Sequence, residues 1–230
     1  MAPKPRKRLR LARKNAIVTD GSHDIGKAVA MMFAQEGARV LIGYRSESDK
    51  NAAEKTAAAI EKYEGRGQAF AFNTTVNAQR MVDVCINTLG GIDVLVNTGT
   101  FNNTLNTTEA AARYMKKQKS GKIINVISPA DIFGTNVQAY SAAKTRIVEF
   151  TTSTSRELGK HNINVNAICL EMTAEIRAEP EEIAPVFAFM ASDDAKYVNG
   201  QVLNVGGGQR RCTATSPLAT RVAKITNLED

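Results

Sequence analysis

Tyr140 and Lys144 stand four residues apart in the stretch Gln138-Ala139-Tyr140-Ser141-Ala142-Ala143-Lys144. Ser128 closes the run Ile123-Ile124-Asn125-Val126-Ile127-Ser128, twelve residues upstream of Tyr140. On a helix, residues at i and i+4 share one face. A phenol ordinarily titrates near pH ~10. A neighbouring ammonium stabilises the phenolate and brings the tyrosine closer to useful acid behaviour at neutral pH. A serine hydroxyl at a strand end can donate to a carbonyl oxygen as that oxygen gains negative charge. The three residues therefore suit protonation of a carbonyl oxygen. Taken without its surroundings, the Tyr/Lys pair is also a common helical spacing.

These residues need elements to hold them, and the chain alternates short apolar runs with amphipathic segments from residue 15 to about 206. Strands are predicted at 16–18, 40–42, 69–72, 92–96, 122–127, 163–168 and 202–205. Helices are predicted at 25–35, 49–63, 79–89, 108–119, 138–158 and 180–191, the first with Ala28, Met31, Met32 and Ala34 inward and Gly37 as its stop. Strands that are continuously apolar and alternate with helices imply a parallel sheet covered on both faces. The expected fold is α/β, a Rossmann-type doubly wound parallel sheet in a single domain over 15–208. A basic tail (1–14) precedes it and a polar tail (209–230) follows. Ligands of such sheets bind beyond the carboxyl ends of the strands, where strand order reverses.

The first strand runs into Val18-Thr19-Asp20-Gly21-Ser22-His23-Asp24-Ile25-Gly26. Together with Ser128, the Tyr140/Lys144 pair, His161 to Ile168 and Tyr197 to Gly208, this loop resembles the short-chain dehydrogenase/reductase family. Within that family the wording is most similar to the β-ketoacyl-acyl-carrier-protein reductases. The resemblance implies an NADP(H) cofactor, hydride transfer to a carbonyl, proton donation by Tyr140, and a Lys144 that also holds the nicotinamide ribose. It further implies cofactor contacts from Thr19, Gly21, Ser22, Ile25, Gly26 and Asn97. Arg45, just past the second strand, is placed to pair with a 2′-phosphate, which would favour NADP over NAD; a solvated loop arginine reads the same way.

Several positions depart from the family pattern. In its Thr-Gly-x-x-x-Gly-Ile-Gly loop the first glycine is Asp20 and the middle one Asp24; only Gly26 remains. A like charge at roughly 4 Å and an effective dielectric near 20 costs about 4 kcal/mol. Asp24, directly before the first helix, is expected to cap it and occupy the anion site internally. Other changes fall at Thr75, at Asn97-Thr98-Gly99-Thr100 and at Leu170-Glu171. Two segments look shortened: 100–108, which in the family carries a further catalytic Asn, and 172–180, the substrate cover. Two functions follow. One is a catalytically impaired structural or interaction subunit; the other is an active NADPH-dependent carbonyl reductase of the 3-oxoacyl-acyl-carrier-protein type.

Composition bounds the rest. Hydrophobic content of 43% and charged content of 23% are those of an ordinary globular chain. Residues 1–14 carry seven of the 30 basic residues and no acid, leaving 23 to balance the 23 acids. That arm reads as a solvated tail, a polyanion contact or a targeting remnant. Cys85, Cys169 and Cys212 are far apart with no CxxC, so neither a zinc ribbon nor a disulfide framework is expected, and no metal site is assigned. No apolar run has membrane-spanning length. The expected setting is a reducing intracellular compartment, cytoplasm or an organelle matrix. The expected partners are further copies of the chain or a larger assembly.

Overall fold

In a strand, successive side chains go to opposite faces of the sheet. Ala16, Ile17 and Val18 are all fully buried, so both faces of their strand are covered. A computed structural model describes residues 9–62, 69–73, 78–127, 137–170 and 178–207; for 69–73 and 137–141 it describes the backbone. The elements, in order, are β1 (Asn15–Val18), α1 (Asp24–Gln35), β2 (Arg39–Tyr44), α2 (Glu47–Glu61), β3 (Ala69–Asn73), α3 (Ala78–Leu89) and β4 (Val94–Asn97). They continue with α4 (Phe101–Gln118), β5 (Gly121–Ile127), α5 (Val137–Gly159), β6 (Ile163–Leu170), α6 (Pro180–Ala191), a 3-10 turn at Asp193–Ala195, and β7 (Val202–Val205).

The seven strands form one sheet in the order β3-β2-β1-β4-β5-β6-β7, and every pairing is parallel. This is the Rossmann-type doubly wound arrangement expected from the sequence. The chain starts at β1 in the middle, runs outward to β3, then returns to β4 on the other side of β1. On one face Ala16 and Val18 pack with Val29 and Phe33 of α1 and Phe187 of α6. On the other, Ile17 packs with Met81 and Cys85 of α3, Met115 of α4 and Leu158 of α5. Cys85 is a free buried thiol that donates to the Gly91 carbonyl at 3.4 Å, and burial pushes its pKa up to about 12, so it is unreactive.

Two helices differ from the sequence reading. The inner face of α1 is wider than predicted: Val29, Ala30 and Phe33 are buried with Ala28 and Ala34, while Met31 and Met32 are only partly covered. The helix packs against α6 as well as the sheet, and two contacts need a broader stripe than one. Gly37 does end it, at φ +93°. Helix α4 begins at Phe101, not Thr108, with the Thr100 hydroxyl capping it by accepting from the Asn103 backbone N–H at 3.5 Å. Its first two turns are rich in Asn and Thr, which are weak helix formers. Burial of Thr104, Thr107 and Thr108 overrides that propensity.

The folded part also reaches further back than residue 15. Leu11 is fully buried in the α1–α6 cluster. The Arg10 backbone N–H and guanidinium donate to the two oxygens of buried Glu36 at 2.9 and 3.0 Å. Lys14 lies 3.6 Å from Asp193. Residues 1–8 lie outside the described residues.

Candidate active site

Strand order reverses between β1 and β4, so the crevice beyond their carboxyl ends is where a ligand of this fold is sought. Thr19 spans it. Its backbone N–H donates to the Val96 carbonyl at 3.0 Å, and its hydroxyl accepts from the Thr98 backbone N–H at 3.0 Å. The loop then folds across the end of β2, where the Gly21 N–H donates to the Gly43 carbonyl at 2.9 Å. A Cβ on Gly21 would lie 2.8 Å from Ile42 Cγ2. At Gly26 the constraint is absolute: a Cβ there would lie 1.7 Å from the Asp20 carbonyl oxygen. Gly26 is the residue that lets α1 rest directly on the loop. Ser22 is buried beneath the loop, and Ile25 packs against the α1–α6 cluster.

The charges on this rim are paired with one another. Arg45, which follows β2, lies 2.9 Å from Asp20 Oδ2, and the Ser22 hydroxyl is 3.4 Å from Asp20 Oδ1. The Asp20 side chain is 14% exposed, that of Arg45 47%. Burial pushes the Asp20 pKa above the ordinary carboxylate value, and it outweighs the opposing pull of Arg45 and Ser22. Beside this pair, His23 Nε2 lies 3.4 Å from Asp49 Oδ1. The Ser46 hydroxyl donates to Asp49 Oδ2 at 2.6 Å, and that bond is the main reason the Asp49 pKa is lowered.

Asp24 does not cap α1. His23 is the N-cap residue, no side chain caps it, and Asp24 sits exposed in the first turn at φ +43°. The loop has kept a left-handed conformation suited to glycine, with an aspartate in it. Asp24 is exposed whereas the Asp20 side chain is mostly buried, so the internal anion on this loop is Asp20. Sequence reasoning did not single out His23, Ser46 or Asp49. The available signal was an acid and serines opening a helix right after a strand-end arginine.

Asn97, at the end of β4, is 1% exposed and sits in a buried network. Its amide nitrogen donates to the Thr108 hydroxyl and to Asn125 Oδ1, both at 3.0 Å, and its amide oxygen accepts from the Thr107 hydroxyl at 2.6 Å. Asn125 Nδ2 donates in turn to the Thr151 hydroxyl at 2.9 Å. The network joins β4 and β5 to α4 and α5, and it engages both amide hydrogens and the oxygen of the Asn97 side chain. Positions 140 and 144 lie one turn apart on α5, with Lys144 half-buried and engaged by a partner. Ser128, the Tyr140 side chain, Thr75, Glu171 and 172–177 lie outside the described residues. Among the described residues no group of three His, Cys, Asp or Glu is placed to hold a metal ion. None of their helices is long and apolar enough to cross a membrane.

A central parallel sheet with a glycine loop at its switch point defines a Rossmann-type class of protein. The family model for short chain dehydrogenases matches residues 14–104 and 100–181, in two pieces that meet at the start of α4. The chain belongs to the short-chain dehydrogenase family. It is 30% identical to a 3-oxoacyl-(acyl-carrier-protein) reductase of Thermotoga maritima, over 87% of this chain and 99% of that protein. It is 35% identical to one of Synechocystis, over 84% and 95%. Among solved structures it resembles a hydroxysteroid dehydrogenase of Escherichia coli, with a TM-score of 0.77 and 26% identity over 90% of this chain and 100% of that one. A short-chain type dehydrogenase/reductase of Mycobacterium marinum gives 0.76 and 25%, over 87% and 96%.

The family implies a nicotinamide dinucleotide, and the rim tests the fit. The loop backbone fits a pyrophosphate: Gly26 brings the uncapped start of α1 up against the loop. The side-chain charges do not fit a 2′-phosphate, because the Arg45 guanidinium faces the chain's own Asp20 carboxylate, and the His23 ring beside it faces Asp49.

Proposed function

We propose that this chain is a short-chain dehydrogenase-type subunit whose nicotinamide cofactor affinity is low, so that it serves mainly as a structural or interaction subunit. The observation carrying this reading is the Asp20–Arg45 ion pair, which fills the cofactor rim with an internal charge pair at 2.9 Å. A carboxylate held in the glycine loop repels a pyrophosphate, and the arginine that would compensate is already engaged. Thr19, Gly21, Ser22, Ile25 and Gly26 supply the shape of a dinucleotide loop. NADP(H) remains the family's implied cofactor, and its binding here is weak. The partners fitting this role are further copies of the chain or a larger assembly in a reducing compartment, with the basic arm available to a polyanion.

A second reading is favoured by the continuous helix under positions 140 and 144. It is an active NADPH-dependent carbonyl reductase acting on 3-oxoacyl thioesters, as the names of its curated relatives indicate for those proteins. The cofactor would supply the hydride. Tyr140 would give its phenolic proton to the carbonyl oxygen, Lys144 would stabilise the resulting phenolate, and Ser128 would hold the same oxygen. Turnover of a 3-oxoacyl thioester with NADPH separates the two readings. The proposal expects no consumption above the rate of a Tyr140→Phe variant. A wild-type rate well above that of Tyr140→Phe overturns it.

A further inference from the structure

We infer that Asp20 is a specificity-determining residue: by holding the Arg45 guanidinium it biases this site against dinucleotides bearing a 2′-phosphate and toward the unphosphorylated form. The inference rests on the reading of the rim as a dinucleotide site and names which dinucleotide that site prefers. Arg45 follows directly on β2, at the end of the sheet where the adenosine ribose of a dinucleotide lies in this fold. An arginine there ordinarily receives a 2′-phosphate through two parallel hydrogen bonds. Here one terminal nitrogen is 2.9 Å from Asp20 Oδ2.

A 2′-phosphate must either displace Asp20 from Arg45 or approach with Asp20 still in place. Displacement leaves a mostly buried carboxylate with, among the described residues, only the Ser22 hydroxyl at 3.4 Å to bond it. An unpaired buried charge is strongly disfavoured. Approach without displacement brings a phosphate carrying nearly two negative charges beside Asp20, which already feels the repulsion of Asp49. His23 gives little relief, because Asp49 already faces it at 3.4 Å. A ribose hydroxyl meets none of these penalties, since it donates to a carboxylate.

Calorimetric titration of the full chain with NADPH, NADH, adenosine 2′,5′-bisphosphate and adenosine 5′-monophosphate tests this. The variants are Asp20→Asn and Asp20→Asn with Arg45→Ala; Asp20→Gly replaces the first if it melts early. Both dinucleotides are expected to bind wild type weakly, NADH the less weakly of the two, with the ratio read from titrations that extend above about 1 mM. Asp20→Asn is expected to move the affinity ratio toward NADPH by about tenfold or more, with the same shift between the two adenosine fragments. Adding Arg45→Ala should abolish the shift, because the gain runs through that guanidinium. A ratio unmoved by Asp20→Asn, or a shift that survives Arg45→Ala, overturns the inference. Absence of binding by any variant overturns it too, while leaving the low-affinity reading intact. NADH binding by wild type that is tight and stronger than NADPH binding supports the inference and refutes the low-affinity reading, so the two fail separately.

Discussion

Asp20 and Arg45, 25 positions apart in the chain, form a 2.9 Å ion pair across the mouth of the glycine loop. Asp20 is nonetheless held above its ordinary pKa of 3.8, because burial outweighs the nearby guanidinium. A carboxyl with a raised folded-state pKa binds its proton more tightly folded than unfolded. Its contribution to stability is therefore fully present at low pH and is lost as pH rises through the folded-state value. Asp20→Asn removes that dependence. Its melting temperature, relative to wild type, should improve as pH rises from about 4 to 7. Melting curves across that range check it, and a relative decline contradicts it.

Gly26 carries the approach of α1 to the loop. A methyl group 1.7 Å from the Asp20 carbonyl oxygen meets the backbone of residues 20 and 21 and cannot be relieved by a rotamer change. Gly26→Ala should lower stability by about 3 kcal/mol or more, at or beyond the upper end of ordinary overpacking. Urea denaturation reads this directly, and a loss under about 1 kcal/mol would mean that the helix stands off the loop.

The buried amide network makes a second stability prediction. Asn97→Ala removes three hydrogen bonds and leaves Asn125 Oδ1 and two threonine hydroxyls without that partner. The expected loss is about 2–4 kcal/mol, more than the same truncation costs at the surface. A neutral outcome by chemical denaturation would show that the network is not closed.

Asp24 predicts the opposite sign. It is exposed, left-handed at φ +43°, and caps nothing. Asp24→Gly should raise stability by about 0.5–1 kcal/mol, because glycine meets no Cβ penalty in that region. A lower denaturation midpoint for the variant would contradict this account of the loop.

Most of the scaffold was legible in the sequence, for a physical reason. Runs such as Ala16-Ile17-Val18 and Val40-Leu41-Ile42 are buried on both faces, so their patterns are unmixed, and the parallel sheet follows from their alternation with helices. The start of α4 was not legible, because Asn102, Asn103, Thr104 and Thr107 have poor helix propensity and are held by tertiary contacts. The rim was half legible. Asp20 and Asp24 both read as carboxylates in a glycine loop, but which one is buried depends on the folded loop, and the internal-anion role expected of Asp24 falls to Asp20. Arg45 reads as a cation from the sequence, and its partner Asp20 is hidden there because the pairing joins two separate strand ends.

The central claim is that the chain's own charge pair leaves the cofactor rim with little affinity for a nicotinamide dinucleotide. Calorimetric titration of the wild-type chain with NADPH and with NADH tests it most directly. The account predicts no saturation with either below about 1 mM. A saturable Kd in the micromolar range for either dinucleotide would contradict it.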